Sequence, residues 1–299
     1  MRGMWGVCSC LFCWLVGGLM RVGEFEVRIV SDGEFRIDGG AMFGVVPKPL
    51  WERLLEPDER NRVRMATNCL LVRRGRDVVV IEAGLGRKLS RKRREIYAVS
   101  DEVRLETSLR AAGVEPAAVT DVVLTHLHFD HCGGATRRDS EGRVVPTFPN
   151  ARHFVQRVEW KAARRPTPAT DTSYEADNLD ALERYGRLKL IDGDAEVCHG
   201  VHVEVVPGHT HAHQVVRVES GGEVLVFPGD LIPTTHHMRT HYNAAYDLNA
   251  EENTLNKVRF LERAQRDRWR LVFYHDVEVP VATVEKDSLG RFVARPVAC

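Results

Sequence analysis

The chain has 299 residues, and its 42 basic and 42 acidic side chains give a formal charge of zero. This length is enough to bury a large core, as one large domain or two small ones. The balanced charge argues against a dedicated nucleic-acid binder. The seven cysteines show no paired framework, which favours a reducing compartment over a disulfide scaffold.

The N-terminal stretch differs from the rest of the chain. Residues 4–20 are apolar and follow Arg2, which resembles the apolar region of a signal peptide. No cleavage site of small residues follows them. We therefore predict that residues 1–19 are a leader or an upstream extension outside the fold, and that one domain spans residues 22–296. We expect a cytoplasmic location, with a signal-like leader as the alternative.

The first half of the chain reads as two hairpins and a helix. Alternating apolar residues over 25–37, interrupted by the turn-like SDG, predict a hairpin, and a second hairpin is predicted over 68–84. Ser100 is a candidate N-cap for a helix over 101–113. A buried strand, TDVVL, then precedes a cluster of histidines.

The second half repeats this order of elements. We predict a strand over 201–205, a hairpin over 214–227, a helix that begins at Asn249 and a final strand ending at Tyr274. The apolar stripe expected on this helix consists of Leu255, Val258 and Leu261. Two strand-rich halves, each ending in helix and strand, predict an α+β sandwich with helices outside.

Residues 125–134, THLHFDHCGG, place possible metal ligands directly behind the TDVVL strand. His126 and His128 are two residues apart, so their rings point to the same side, while Asp130 and His131 follow where the chain leaves the strand. Three other apolar strands lead to further ligand types, which are His209, Asp230 and His275. Surface histidines on a loop would not explain why four strand ends each deliver such a residue.

These motifs resemble the metallo-β-lactamase superfamily. HxHxDH at 126–131, PGHT at 207–210, GD at 229–230 and the late His275 carry the resemblance, which extends over residues 22–296. It implies a four-layer αβ/βα metallo-β-lactamase-like sandwich with a metal site at one edge of the sheets. By that resemblance one metal is held by His126, His128 and His209, the other by Asp130, His131 and His275, and Asp230 bridges them.

Such a site implies hydrolysis. Two divalent cations about 3.5–4 Å apart can share a hydroxide and polarise a substrate oxygen. Imidazoles with carboxylates suit Zn2+ best, with Mn2+, Fe2+ or Co2+ as alternatives. We expect Asp130 to orient the nucleophile and either Asp130 or Asp230 to pass a proton to the leaving group.

The motif sequences are most similar to those of N-acyl-homoserine-lactone lactonases and methyl-parathion-hydrolase-like enzymes. This resemblance implies a small ester or lactone as the substrate. The alternatives are a phosphodiesterase or nuclease that uses the basic run 87–95, a phosphotriesterase, and, least favoured, a non-catalytic metal-binding protein. The basic run is most simply a solvated face. We expect no nucleic-acid partner and no stable membrane association, and a homodimer is left open.

Two segments and several polar residues are expected near the pocket. Residues 231–247 leave the site at Asp230 and predict a pocket wall, and residues 163–178 are a lid or a surface excursion. His211 and His213 are expected beside the ligands rather than among them, and Cys132 is expected to be structural.

Overall fold

A computed structural model describes residues 17–100 and 102–297. Residues 1–16 of the predicted leader lie outside this range, so the division at residue 19 stays a prediction. Among the described residues, no helix combines the length and the apolar character that a membrane crossing requires.

The strands form two seven-stranded sheets and a two-stranded ribbon. The first sheet has the order β1-β2-β3-β4-β5-β8-β9, where these strands are β1 (Met20–Val22), β2 (Phe25–Asp38), β3 (Arg62–Arg74), β4 (Asp77–Ile81), β5 (Asp121–Val123), β8 (Arg152–Gln156) and β9 (Leu188–Ile191). The ribbon pairs β6 (Thr136–Arg138) with β7 (Val144–Pro146). The second sheet runs from β10 to β16 in chain order, namely β10 (Ala195–Cys198), β11 (Val201–Val205), β12 (Gln214–Ser220), β13 (Glu223–Phe227), β14 (Arg270–Val272), β15 (Val281–Lys286) and β16 (Phe292–Pro296).

Eight α-helices lie between these strands in the described part of the chain. They are α1 (Gly39–Phe43), α2 (Lys48–Trp51), α3 (Arg91–Ile96), α4 (Leu105–Ala111), α5 (Phe129–Cys132), α6 (Arg157–Arg164), α7 (Ala176–Arg184) and α8 (Ala250–Arg266).

The main core contains buried side chains from both sheets, such as Leu70 and Val80 from the first and Val216 and Leu225 from the second. A second cluster joins the second sheet to α8, where Leu261 packs with Val226 and other residues. The sheets therefore share one apolar core and helices cover them. This arrangement confirms the predicted α+β sandwich.

The hairpin predicted over 25–37 is wrong. β2 is one continuous strand of 14 residues, and its pairing with β3 shifts register between Ser31 and Glu34. The SDG sequence is therefore a bulge and not a turn. Asp32 in this bulge is buried, and its carboxylate accepts hydrogen bonds from the backbone N–H groups of Gly86 and Leu105.

The helix predicted from Ser100 is also wrong in its start, because α4 begins only at Leu105. Its first N–H group donates to Asp32 Oδ1 at 2.8 Å, so a carboxylate from β2 satisfies the helix N-terminus. The carbonyl groups of Ser100 and Val103 accept hydrogen bonds from Arg87 instead. A long-range partner replaces the local cap here.

The apolar stripe predicted on α8 is wrong in two of its three members. Leu261 is buried, whereas Val258 is half-buried and Leu255 is 51% exposed. The N-cap at Asn249 is confirmed, since its side chain accepts from the Glu252 N–H group at 3.0 Å. The buried face of α8 carries polar Asn253 and Lys257, whose partners lie near the candidate site.

The other two predicted hairpins are confirmed, and they position the site. β3 pairs antiparallel with β4, and β12 with β13. β4 then runs parallel to β5, and β13 runs parallel to β14. Within each parallel pair the carboxyl ends lie at the same edge of the sheet. The segments that follow these strands contain Glu82, His126, Asp230 and His275 respectively.

Candidate metal centre

The seven predicted ligands come together in one buried cluster at this edge. His126, His128, Asp130 and His131 follow β5, and His209 lies between β11 and β12. Asp230 follows β13, and His275 follows β14. Their possible ligand atoms fall into three mutually close groups with separations within 4.8 Å, namely His126, His128 and His209; His126, His131 and Asp230; and Asp130, His131 and His275.

One group consists of three imidazoles. His209 Nε2 lies 3.2 Å from His126 Nε2 and 3.2 Å from His128 Nδ1. The Nδ1 atom of His209 faces the Asp247 carboxylate at 2.7 Å and donates to it, so in the neutral ring Nε2 carries a lone pair. Three ring nitrogens that converge in this way match the ligand set of a tetrahedral zinc site with one open position.

The second group lies on the other side of Asp230. Asp230 Oδ1 is 3.4 Å from His131 Nε2 and 3.4 Å from His275 Nε2, while Asp230 Oδ2 is 3.5 Å from His209 Nε2. Asp130 Oδ2 is 3.6 Å from His275 Nε2. The two oxygens of one carboxylate therefore face the two groups separately, which is the geometry that a bridging ligand needs.

Unsatisfied buried atoms test whether these residues fit a metal. Both ring nitrogens of His131 and Asp230 Oδ1 are buried, and they have no hydrogen-bond partner among the described residues. Buried polar atoms normally have partners, so this cluster is costly as it stands. A divalent cation would satisfy these atoms, so the residues present fit a metal.

The charges of the cluster support the same conclusion. Burial alone would lower the pKa of His131, but Asp230, Asp130 and Glu82 outweigh it and raise the pKa well above the usual value. Burial would raise the pKa of Asp230, but His131 and His275 hold it well below its usual range. The buried carboxylates and imidazoles thus stabilise each other's charged forms, and a bound divalent cation would replace protons in this role.

Several residues hold the ligands in place, and the sequence did not single them out for this role. Asp247 Oδ1 accepts from His209, and its Oδ2 accepts from Asn253 Nδ2 at 2.9 Å. His275 Nδ1 donates to the Ala66 carbonyl at 2.9 Å, and Thr125 Oγ1 lies 3.0 Å from His126 Nδ1. Partners of this kind fix ring orientation at metal sites. The one available signal was that Asp247 ends the predicted pocket wall.

The two histidines that follow the PGHT segment, His211 and His213, have different positions. His213 is fully buried, and its Nε2 accepts the Asp230 N–H group at 3.1 Å. Burial lowers the pKa of His213 to about 3, so its ring is neutral and remains an acceptor. His211 is exposed. His213 thus positions the backbone of Asp230, in agreement with its expected place beside the ligands.

Of three further residues, His236, His237 and Cys132, the last two make hydrogen bonds to backbone carbonyls. His237 is buried, stacks on Phe43 at 4.9 Å and hydrogen-bonds the Met42 carbonyl. His236 is half-buried on the same short turn. Cys132 donates to the Leu127 carbonyl, and burial raises the pKa of its thiol to about 12. This thiol belongs to none of the possible metal groups.

A cleft of about 420 Å³ opens onto the cluster. Its floor includes His128, Asp130 and Asp230. Tyr246 lines one side, so the end of the predicted wall 231–247 reaches the cleft. The other lining residues are Arg36, Ile37, Asp38, Ala41, Arg60, Arg62, Ile96, Tyr97, Phe129, Thr172 and Ser173.

The interpretation of residues 87–95 as a solvated face is wrong for half of their cationic side chains. Arg91, Lys92 and Arg94 are on α3, and the first two are exposed. In contrast, Lys88 donates to the carbonyls of Gly133 and Thr136, and burial lowers its pKa to about 8. Arg87 and Arg93 also make hydrogen bonds to backbone carbonyls. These internal contacts disfavour a grip on nucleic acid.

Sequence comparisons match this chain to one family model and to curated proteins. The sequence model of the metallo-beta-lactamase superfamily matches residues 62–275. An N-acyl homoserine lactonase from Bacillus sp is 29% identical over 187 residues, which is 60% of this chain and 65% of that protein. N-acyl homoserine lactonase AttM from Rhizobium johnstonii is 30% identical over 178 residues, 56% of this chain and 62% of the relative. The match thus spans less than two thirds of these curated relatives.

Solved structures extend the likeness to almost the whole chain. A probable metal-dependent hydrolase from Staphylococcus aureus is 29% identical with a TM-score of 0.84, over 94% of this chain and 100% of that one. AidC, a dizinc quorum-quenching lactonase, is 22% identical with a TM-score of 0.75, over 95% of this chain and 99% of its own. The second likeness concerns the fold alone.

Proposed function

Because this chain belongs to the metallo-beta-lactamase superfamily, we propose that it is a dinuclear metal-dependent hydrolase that cleaves a small ester or lactone. The observation that carries the proposal is the Asp230 carboxylate, whose Oδ2 faces His209 and whose Oδ1 faces His131 and His275. The hydrolase domain would comprise residues 22–296. The lactonase relatives support the same class of reaction.

In this proposal the metals are two divalent cations, with zinc favoured by the imidazole-rich donors. His126, His128 and His209 would hold one, Asp130, His131 and His275 would hold the other, and Asp230 would bind both. When bound, such a pair of metal ions would lower the pKa of a water molecule and polarise the carbonyl that this water attacks.

The protein's own residues would orient the reactants. Asp130 is both at the cleft floor and slightly exposed, so its carboxylate can hold an attacking water and pass a proton to the departing oxygen. Asp230 is the other candidate for this proton transfer.

Tyr246 is placed to donate to a substrate oxygen. Burial and the carboxylates of Asp230 and Asp130 raise the pKa of its phenol well above the usual value, so it stays protonated. Its hydroxyl currently donates to Met42 Sδ at 3.3 Å, and a thioether is a weak acceptor. A carbonyl oxygen entering the cleft would be a better partner.

The cleft supports a small, partly apolar substrate. Its volume of about 420 Å³ falls within the ~300–1,000 Å³ typical of small-molecule sites. Ile37, Ile96, Tyr97 and Phe129 line it beside polar groups. A nucleic-acid substrate is disfavoured because half of the cationic side chains in the basic run, those of Arg87, Lys88 and Arg93, make hydrogen bonds within the protein.

A hydrolysis screen of the zinc- and manganese-loaded protein tests the proposal. It should cover lactones, esters, thioesters, phosphoesters and β-lactams. We expect ester or lactone cleavage that Asp130→Ala abolishes and that the exposed control Glu141→Ala retains. Turnover of phosphodiesters or nucleic acid alone would overturn the assignment.

A further inference from the structure

The guanidinium group of Arg93 on α3 contacts several residues at one wall of the cleft. We propose that Arg93 is a positioning residue that clamps residues 172–175 to Phe129 and so limits the size of the substrate group that the cleft accepts. This inference rests on the proposed ester or lactone hydrolysis. It concerns substrate selection and not the metal chemistry.

Arg93 contacts four residues at this wall, namely Tyr97, Phe129, Thr172 and Glu175. Its Nη1 forms an ion pair with Glu175, and its Nη2 donates to the Thr172 carbonyl at 2.9 Å. The guanidinium carbon lies 4.4 Å from the ring centroid of Phe129 and 5.6 Å from that of Tyr97. Four contacts thus converge on one side chain that is 21% exposed.

The groups that Arg93 holds also line the cleft. Tyr97, Phe129, Thr172 and Ser173 face the cavity. The Tyr97 and Phe129 rings are 4.9 Å apart, and the Phe129 N–H group donates to the Ser173 carbonyl at 2.9 Å. Arg93 therefore ties the segment 172–175 and the two aromatic rings into one wall.

The ligands next to this wall have anchors of their own. Phe129 directly precedes Asp130, yet the Asp130 carbonyl accepts the Tyr274 hydroxyl. The His131 carbonyl accepts the Ala83 N–H group at 2.8 Å. Loosening the wall should therefore change the fit of the substrate more than the position of the ligands. The expected kinetic effect is on KM and on selectivity, with kcat less affected.

The geometry requires arginine and not only a positive charge. A guanidinium is planar, so it can stack on an aromatic ring while its edge donates several hydrogen bonds. A lysine ammonium would keep the charge opposite Glu175 and lose the stacking on Phe129. The neighbouring Lys92 is exposed on the same helix and provides a matched control.

The experiment compares wild type, Arg93→Met, Arg93→Lys, Glu175→Gln and Lys92→Met in two measurements. The first is amide hydrogen exchange of Phe129 and residues 170–175, which needs no substrate. The second is kcat and KM for a series of esters with progressively larger apolar groups.

We expect Arg93→Met to speed exchange in this wall by about tenfold or more through local opening. Its KM should rise for small esters, and its preference between small and large esters should flatten, with kcat nearly retained. Arg93→Lys and Glu175→Gln should give smaller changes in the same direction. Lys92→Met should match wild type.

Unchanged exchange and an unchanged ester preference in Arg93→Met would overturn the clamp. If that variant does not fold, the same two results in Glu175→Gln and Arg93→Lys would overturn it. A wild-type protein that cleaves no ester or lactone would instead contradict the proposed function. In that case the exchange measurement still decides whether Arg93 holds the wall.

Discussion

Substitution of Asp247 by asparagine should weaken metal binding, although Asp247 is not a predicted ligand. Its two oxygens are both engaged, Oδ1 with His209 Nδ1 at 2.7 Å and Oδ2 with Asn253 Nδ2 at 2.9 Å. Asparagine can accept only one of these hydrogen bonds, and it removes the negative charge that makes His209 a stronger ligand. Loss of such a partner costs about 10–100-fold in metal affinity, or ~1.4–2.7 kcal/mol.

Competition with a chromophoric chelator measures this affinity directly. We expect the Asp247→Asn protein to release one zinc ion more readily than wild type, and the exposed control Glu251→Gln to leave both ions unaffected. Circular dichroism and thermal unfolding would establish that the variant retains its fold. Unchanged zinc affinity in a folded Asp247→Asn protein would refute the role assigned to this carboxylate.

Four further substitutions have definite expected outcomes. Burial lowers the pKa of His153 to about 4, below the value of 6.5 in the unfolded chain. The stability that the neutral His153 ring allows is therefore fully present above pH 6.5 and is lost as the pH falls toward 4. His153→Leu should therefore reduce the stability lost between pH 7 and 5 by ~2 kcal/mol in denaturant titrations. A Cβ on Gly134 would lie 2.1 Å from the Ala83 carbonyl oxygen, so Gly134→Ala should lower the unfolding free energy by ~1–3 kcal/mol and reduce metal content. Asp230→Asn should weaken both metal positions, whereas His275→Ala should mainly empty one, as metal analysis of each variant would report.

Patterns with short periods were sufficient to predict two of the three expected hairpins. The hairpins over 68–84 and 214–227 follow from apolar strands on both sides of a tight turn, and they are confirmed. A ligand-type residue after each of four apolar strands predicted a common site, and the resemblance to the superfamily implied that this site lies at one edge of the sheets. The structure brings these residues together, while their binding of metal remains a proposal.

Long-range hydrogen bonds account for the errors. SDG has the composition of a turn, yet buried Asp32 receives N–H groups from Gly86 and Leu105, and the strand continues through it. The same carboxylate supersedes Ser100 at the start of α4. The residues next to Asp32 in the sequence do not indicate these hydrogen-bond donors, because the donors lie 54 and 73 residues away along the chain.

The buried face of α8 illustrates the same limit. Its polar Lys257 donates to the Tyr242 carbonyl at 2.6 Å and to Asn243 Oδ1 at 2.9 Å. Asn253 on the same face binds Asp247. Hydropathy alone would place polar Asn253 and Lys257 on the solvent side and Leu255 in the core. Leu255 is exposed instead. The polar face of α8 therefore contacts the residues that support the candidate site.

The central claim is that Asp230 stands between two metal ions. Inductively coupled plasma mass spectrometry of the protein, expressed with zinc and freed of loosely bound ions, tests it most directly. We predict close to two transition-metal ions per chain. A folded protein that holds at most one ion per chain under these conditions would contradict the dinuclear site.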